Sequence, residues 1–269
     1  MVKNESKEVD KNIRINKYLS ENGICSRREA DRLIEQQLVM VDGVLADTGM
    51  RVNAGQEVRV RNKVVHQQNE LIMLAVNKPI GIICTEEKKT KNNIINYLNY
   101  KSRITYIGRL DKDSEGLLLM TNNGDIINQM MRAANWHEKE YKVTVHRPIT
   151  SDFIKKMSIG VHIKKIEHNV VILDEITRPC IVEQIGKFKF RIILTQGLNR
   201  QIRRMCETLG YKVEKLERVR IMNIELGNLK PGAYRDVTSQ ELECLYKQLN
   251  HTIEYQPGND ISNKTIIGV

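Results

Sequence analysis

Apolar residues in this chain come in stretches the length of a single β-strand, and none approaches the ~20 residues needed to cross a bilayer. Such stretches occupy residues 71–76, 104–107, 117–120, 170–176, 188–194 and 219–226, with a shorter one at 82–83. Residues 141–145, Tyr-Lys-Val-Thr-Val, alternate with period two, the pattern of a half-buried strand. Helical spacing falls between them, at 93–100, 125–132, 151–157, 199–209 and 241–249. Strands and helices therefore interleave, as in a large body of mixed α and β structure. Cysteines number five, an odd count with no C-x-x-C pair, so they read as reduced, mostly buried thiols of a cytoplasmic protein.

The N-terminal 60 residues have a different texture. A short helix at 13–19 is followed by Gly23, and Ser26 precedes Glu29 by three residues, the spacing that caps a second helix. Ala30, Leu33 and Ile34 line one face of that second helix, leaving Arg27, Arg28 and Arg32 on the other. Asp42-Gly43 marks a tight turn, and 58–60 alternate as a strand. The expected organisation is a loose N-terminus at 1–12, a small module at 13–63 and a linker at 64–70. The larger domain spans 71–249, and a polar tail 250–269.

Charge is unevenly spread. Of a formal +10 for the whole chain, residues 186–221 alone hold ten basic and three acidic side chains. A solubility charge needs no such concentration, whereas a polyanion-binding face does. Within this stretch, Ile202, Met205, Cys206 and Leu209 make an inward face at i, i+3, i+4, i+7. Arg200 and Arg204 sit four apart on another face, where they repel unless an anion lies between them. Lys212, Lys215, Arg218 and Arg220 extend the run as a track for backbone phosphates.

The loop Gly108-Arg109-Leu110-Asp111-Lys112-Asp113-Ser114-Glu115-Gly116 joins two apolar stretches. Reactive groups favour loops carried between rigid strands, although an ordinary surface turn has the same composition. Spacing alone does not choose between Asp111 and Asp113. No histidine has metal-ligand spacing, since His137-Glu138 is followed by Tyr141 where H-E-x-x-H needs histidine. Neither glycine-rich phosphate loop occurs, so neither a metal nor a nucleotide cofactor is expected.

Four ordered motifs carry a family resemblance: NKPIG at 77–81, GRLDKDSEGLLLMTNNGD at 108–125, HEKEYKVTV at 137–145 and QGLNRQIRRMCETLGYKVEKLERVRIMNI at 196–224. Together they resemble the RsuA family of ribosomal RNA pseudouridine synthases, and residues 13–60 resemble the S4 RNA-binding module that precedes the catalytic domain there. The last motif is most similar to the type F enzymes acting on large-subunit RNA. The resemblance implies an α+β chain: an S4 (αL-like) domain, then a catalytic domain on a mixed, largely antiparallel sheet with flanking helices. It implies isomerisation of a uridine in structured RNA, most directly 23S rRNA, with small-subunit rRNA or a tRNA stem-loop as the alternative. No cofactor, metal or membrane is required, and a monomer suffices. A catalytically silent RNA-binding or ribosome-assembly protein is the rival reading.

By residue, the resemblance makes Asp111 the catalytic carboxylate, Tyr141 the aromatic that stacks on the target base and Arg203 the arginine paired with Asp111. Arg109, Asn199, Arg200, Arg204, Lys215 and Arg218 are expected RNA contacts beside them. Lys17, Arg27, Arg28 and Arg32 would grip RNA from the S4 module.

Overall fold

A computed structural model describes residues 12–66, 70–87, 89–132, 136–168 and 170–254. Residues 1–11, 67–69 and 255–269, which hold most of the expected N-terminus and tail and part of the expected linker, lie outside the described residues. The chain divides into two compact units, one running through Ile72 with Tyr100–Thr105 and Asn122–Gly124, the other holding the rest.

The first unit opens with β1 (Ile13–Arg14), α1 (Ile15–Glu21) and α2 (Arg27–Glu35). Five short strands follow: β2 (Val39–Val41), β3 (Val44–Leu45), β4 (Arg51–Val52), β5 (Val58–Val60) and β6 (Lys63–Val64). The Ser26 hydroxyl accepts a hydrogen bond from the Glu29 N–H at 3.2 Å, so the expected cap forms and satisfies an otherwise orphaned helix donor. Ala30, Leu33 and Ile34 turn inward with Ile15, Leu19, Val39 and Val58. Arg27, Arg28 and Arg32 remain exposed on the far side of α2.

The second unit is built from β7 (Met73–Lys78), α3 (Ile94–Leu98), β8 (Thr105–Ile107), β9 (Glu115–Thr121), α4 (Gly124–Met131) and β10 (Lys139–Val145). Then come α5 (Ser151–Ile159), β11 (His162–Glu167), β12 (Val170–Ile176), β13 (Ile181–Gly186), β14 (Lys189–Leu194) and α6 (Gln201–Thr208). It ends with β15 (Val213–Ile221), β16 (Ile224–Glu225), β17 (Tyr234–Asp236) and α7 (Ser239–Glu254), so the last helix continues past residue 249. One sheet runs in the order β13-β14-β10-β15-β9-β7-β17, with β16 beside β15 and β8 beside β9. Its pairings along that path are antiparallel except for β9 with β15, which is parallel. The mixed, largely antiparallel sheet is the one expected.

Central strands β7 and β9 are buried almost throughout, as strands covered on both faces must be. On one side of the molecule α5 and α6 pack onto β10, β14 and β15 through Phe153, Met157, Ile202, Met205, Phe190 and Leu216. A second core joins Met73, Leu117, Leu119, Ile126, Ile221 and Leu245. Some strand expectations fail locally. Residues 82–83 make only an isolated bridge, Ile83 to Asn93. The strand expected at 219–226 is instead β15, ending at Ile221, with a turn before β16. Its N-terminal half places two charged residues between apolar ones (Val213, Glu214, Lys215, Leu216), which breaks the period-two pattern and masked it.

Candidate active site

The Asp111 loop is held from three directions. Its own turn closes through the Ser114 N–H donating to the Asp111 carbonyl at 3.1 Å. The segment after β7 grips it next: Gly81 N–H donates to Lys112 O at 2.7 Å, and Leu110 N–H to the buried Cys84 Sγ at 3.5 Å. Lys78, 0% exposed, makes that segment rigid by donating to Pro79 O at 2.9 Å and Ile82 O at 2.8 Å. Burial pushes the Lys78 ammonium below the usual lysine range, against the pull of Asp111 and Asp113. This explains physically why an NKPIG segment accompanies the aspartate loop. Lys78 and Cys84 are site-supporting residues that sequence reasoning passed over; a lysine inside an apolar strand was the available signal.

From the other side come the arginines of the α6 region, and here one expectation is corrected. Arg203 does not pair with Asp111. It is 7% exposed, and its Nη2 donates to Asp113 O at 2.8 Å and Ser114 Oγ at 3.2 Å, with Nε 3.3 Å from Asp113 Oδ2. Its second arm reaches Val213 O at 3.4 Å. Arg203 thus clamps the loop's backbone. The arginine that reaches Asp111 is Arg200, whose Nη1 lies 3.4 Å from Oδ2, while both its Nη atoms engage Asp113 at 3.1 and 3.0 Å. Arg200 does so from a left-handed backbone (φ 53°) at the helix N-cap, a conformation that costs about 1 kcal/mol or more in a side-chain-bearing residue. The Arg200 hydrogen bond, with help from Arg203, holds the Asp113 carboxyl below its ordinary range. Asp113 is consumed by this pairing; Asp111 keeps one long contact.

The other expected RNA contacts divide. Arg204 does not share an anion with Arg200: it donates to Asn199 O at 3.0 Å and Oδ1 at 3.4 Å, so Arg204 and Asn199 occupy each other. Lys215 is exposed but bonded to Glu115 at 2.7 Å. Arg220 pairs with Glu140 at 2.9 Å and Glu138 at 3.0 Å, and Arg191 reaches Glu140 at 2.9 Å. Burial works against the Glu140 charge, but the two arginines outweigh it and hold its carboxyl low. Arg218 is not on a surface track at all, since β15 turns it inward, 2% exposed. Lys17 lies 3.4 Å from Glu21, and Arg32 3.3 Å from Glu29, in the first unit.

A cavity of about 360 Å³ opens between the loop, β10, β15 and α6, lined by Arg109, Asp111, Lys139, Tyr141, Arg200 and Arg218 among others. That is the size of a small-molecule site. Among the described residues Asp111 is its one carboxylate, and Tyr141 brings its one large aromatic ring. Tyr141 pairs across β10 and β15 with Arg218, next to a register shift at Glu140/Tyr141. Lys139, two residues earlier, lines the same wall, and burial pushes its ammonium down to about 8.

The Lys139 value has a stability consequence. The unfolded chain holds the proton up to about pH 10.4, the folded one only to about 8, so the unfolded state binds more protons between those values. The penalty is complete below pH 8 and fades as pH rises toward 10.4. Lys139→Met is therefore expected to stabilise the fold by about 1–2 kcal/mol at pH 6.5, less than the full shift because the cavity admits water. The gain should largely vanish at pH 10, and urea denaturation at the two pH values measures it. An equal difference at both would show that packing, not charge, is responsible.

A mixed sheet carrying one carboxylate, one tyrosine and several arginines around a cavity of this size fits an enzyme that takes up a small, negatively charged substrate unit. Residues 72–208 match the RNA pseudouridylate synthase family and residues 13–58 the S4 domain. The chain belongs to the RNA pseudouridine synthases, in the S4-bearing RsuA branch. It is 48% identical over 259 residues to the dual-specificity RNA pseudouridine synthase RluF of Escherichia coli (strain K12), covering 95% of this chain and 86% of that protein. The RluF of Salmonella typhi is 50% identical over 241 residues, covering 89% and 80%. A crystal structure of a pseudouridylate synthase superposes with a TM-score of 0.61 at 26% identity, over 87% of this chain and 99% of that one. Pseudouridine synthase activity on RNA follows, and the silent-binder reading falls. No helix among the described residues is long and apolar enough to cross a membrane.

Proposed function

We propose that Asp111 performs the chemistry, converting one uridine of structured 23S rRNA to pseudouridine in the cytoplasm as a monomer, with Tyr141 stacked on the extracted base. The observation that carries this reading is that Asp111 is the only carboxylate among the described residues lining the cavity, while its neighbour Asp113 is tied up by Arg200. Hydrolysis of a glycosidic bond would call for a second carboxylate to activate water. An isomerisation needs one. The carboxylate either attacks C1′ or takes the 2′ proton as the C1′–N1 bond breaks; the uracil then turns, C5 joins C1′, and the C5 proton is lost.

The target must leave its stack before any side chain can reach the sugar, and phosphate contacts offset that cost. Arg109, exposed beside the cavity in the second unit, and Arg27 and Arg28, exposed on α2 in the first, are cations available for such contacts. The dual specificity named for the RluF relatives supports a second RNA substrate for the same site, for which a tRNA stem-loop is the alternative that the sequence motifs leave open. The test is direct. Unmodified 23S rRNA, 16S rRNA and tRNA transcripts are each incubated with the enzyme, and pseudouridine is mapped by carbodiimide labelling and primer extension. One discrete new stop in 23S rRNA, with or without one in tRNA, is expected. Modification confined to 16S rRNA or tRNA would overturn the substrate assignment.

A further inference from the structure

Arg218 is the most buried arginine in the cavity wall, and its hydrogen bonding is incomplete. Its Nε donates to Leu117 O at 2.7 Å and its Nη1 to Arg109 O at 3.5 Å, the carbonyls that flank the Asp111 loop. Its Nη2 is fully buried with no hydrogen-bond partner. Among the described residues no carboxylate pairs with this guanidinium. Lys139 stands on the adjoining strand in the same wall, and its Nζ makes one long bond, to His137 O at 3.4 Å. It too lacks a carboxylate. Of the other cations lining this wall, Arg200 is answered by Asp113, Arg178 stacks on the Trp136 ring, and Arg109 and Arg132 are exposed to solvent. Burying charge without a counter-charge is costly, so two such cations side by side mark a place where negative charge arrives from outside.

The reaction supplies that charge. On either route, cleavage of the C1′–N1 bond leaves the electron pair on N1, and the base departs as a uracil monoanion whose charge spreads over N1, O2 and O4. The same pair of electrons is spent when C5 bonds to C1′, and the C5 proton then passes to solvent as N1 gains one, leaving no net charge change. The anion exists only between the two bond events. Donors fixed in a dry pocket act most strongly on charge of this transient kind, because they need not reorganise when it develops.

We propose that the Arg218 guanidinium and Lys139, through Nζ, hold the departed uracil anion beside Tyr141 and so lower the barrier to glycosidic cleavage. The assignment rests on the reaction put forward above. It gives the inward turn of β15 a chemical purpose and makes Arg218 a catalytic residue in its own right, in addition to its grip on the loop carbonyls.

The experiment compares leaving groups. RNA carrying either uridine or 5-fluorouridine at the mapped target is consumed under single-turnover conditions, following loss of the starting nucleoside. Fluorine makes uracil more acidic and thus a better leaving group. For Arg218→Met the expected slowing is 100-fold or more with uridine and at least ten times smaller with 5-fluorouridine. Arg218→Lys and Lys139→Met should show the same narrowing from a smaller starting defect. If Arg218 only props the Asp111 loop, both substrates slow by the same factor, and equal slowing in all three variants overturns the proposal. Thermal melts identify a variant that fails to fold; should Arg218→Met do so, the other two carry the comparison. Conversion of uridine by the wild type is required first, so a failure of the reaction itself registers there, before any variant is compared.

Discussion

Asp111→Asn is expected to bring pseudouridine formation to background, a loss of about 1,000-fold or more, while RNA binding stays within about twofold. Asparagine has nearly the shape of aspartate and can still accept the 3.4 Å bond from Arg200, whose main anchor is Asp113. The fold should therefore tolerate the change within about 0.5 kcal/mol. What disappears is the ionised oxygen, needed whether the carboxylate attacks C1′ or removes the 2′ proton. Asp113→Asn is the informative companion. It weakens the two-pronged contact with Arg200, so a destabilisation of about 1–2 kcal/mol and a partial loss of rate are expected, without abolition. Primer-extension mapping and urea denaturation of both variants decide the matter. An active Asp111→Asn beside a dead Asp113→Asn would transfer the chemistry to Asp113, the choice that spacing left open.

These two aspartates also show where sequence reading reaches and where it stops. The apolar face of α6, the Ser26 cap and the alternation of β10 are local patterns, decided by residues within one or two turns of each other, and the structure reproduces them. Which arginine meets which aspartate is a different kind of question. Arg200 and Asp113 are 87 residues apart, and their meeting depends on how the loop after β8 is laid against α6. Arginines three apart look interchangeable in sequence; in space Arg203 reaches the Asp113 carbonyl, the Asp113 carboxylate and the Ser114 hydroxyl, and Arg200 reaches the carboxylates of both Asp111 and Asp113. The positive run from Lys212 to Arg220 misled for a related reason. A strand sends neighbours to opposite faces, and register shifts in the β10–β15 pairing alter which faces they reach. One run of charge is thereby divided between an inward guanidinium at 218 and outward ion pairs at 215 and 220. Local charge density marked the right segment while giving its members the wrong task. The catalytic fold itself was legible chiefly through its ordered motifs, because β13 and β17 have too little apolar character to announce themselves.

Gly116→Ala should be severely damaging for so small a substitution. Gly116 lies where β9 runs parallel to β15, opposite Arg218, with φ at 103°, a backbone conformation that side-chain-bearing residues strongly disfavour. An added Cβ would sit 2.3 Å from Arg218 O and 2.7 Å from Arg218 N, both backbone atoms in the middle of a sheet. Neither can move without parting the strands, and the backbone cannot relax without leaving its dihedral region. A destabilisation of about 3–5 kcal/mol is expected, a fall in melting temperature on the order of 10 °C. Activity should suffer beyond what stability explains, because the same separation would pull Arg218 from Leu117 O and slacken the loop that presents Asp111. Gly197→Ala is the control for stability, since nothing lies within 4 Å of the added methyl, and it should change the fold by less than about 1 kcal/mol. Melting curves and single-turnover rates at a temperature where Gly116→Ala remains folded separate the two effects. A variant that melts with the wild type would mean that β9 and β15 are not pressed together at this point, and the close approach of the Asp111 loop to Arg218 would have to be redrawn.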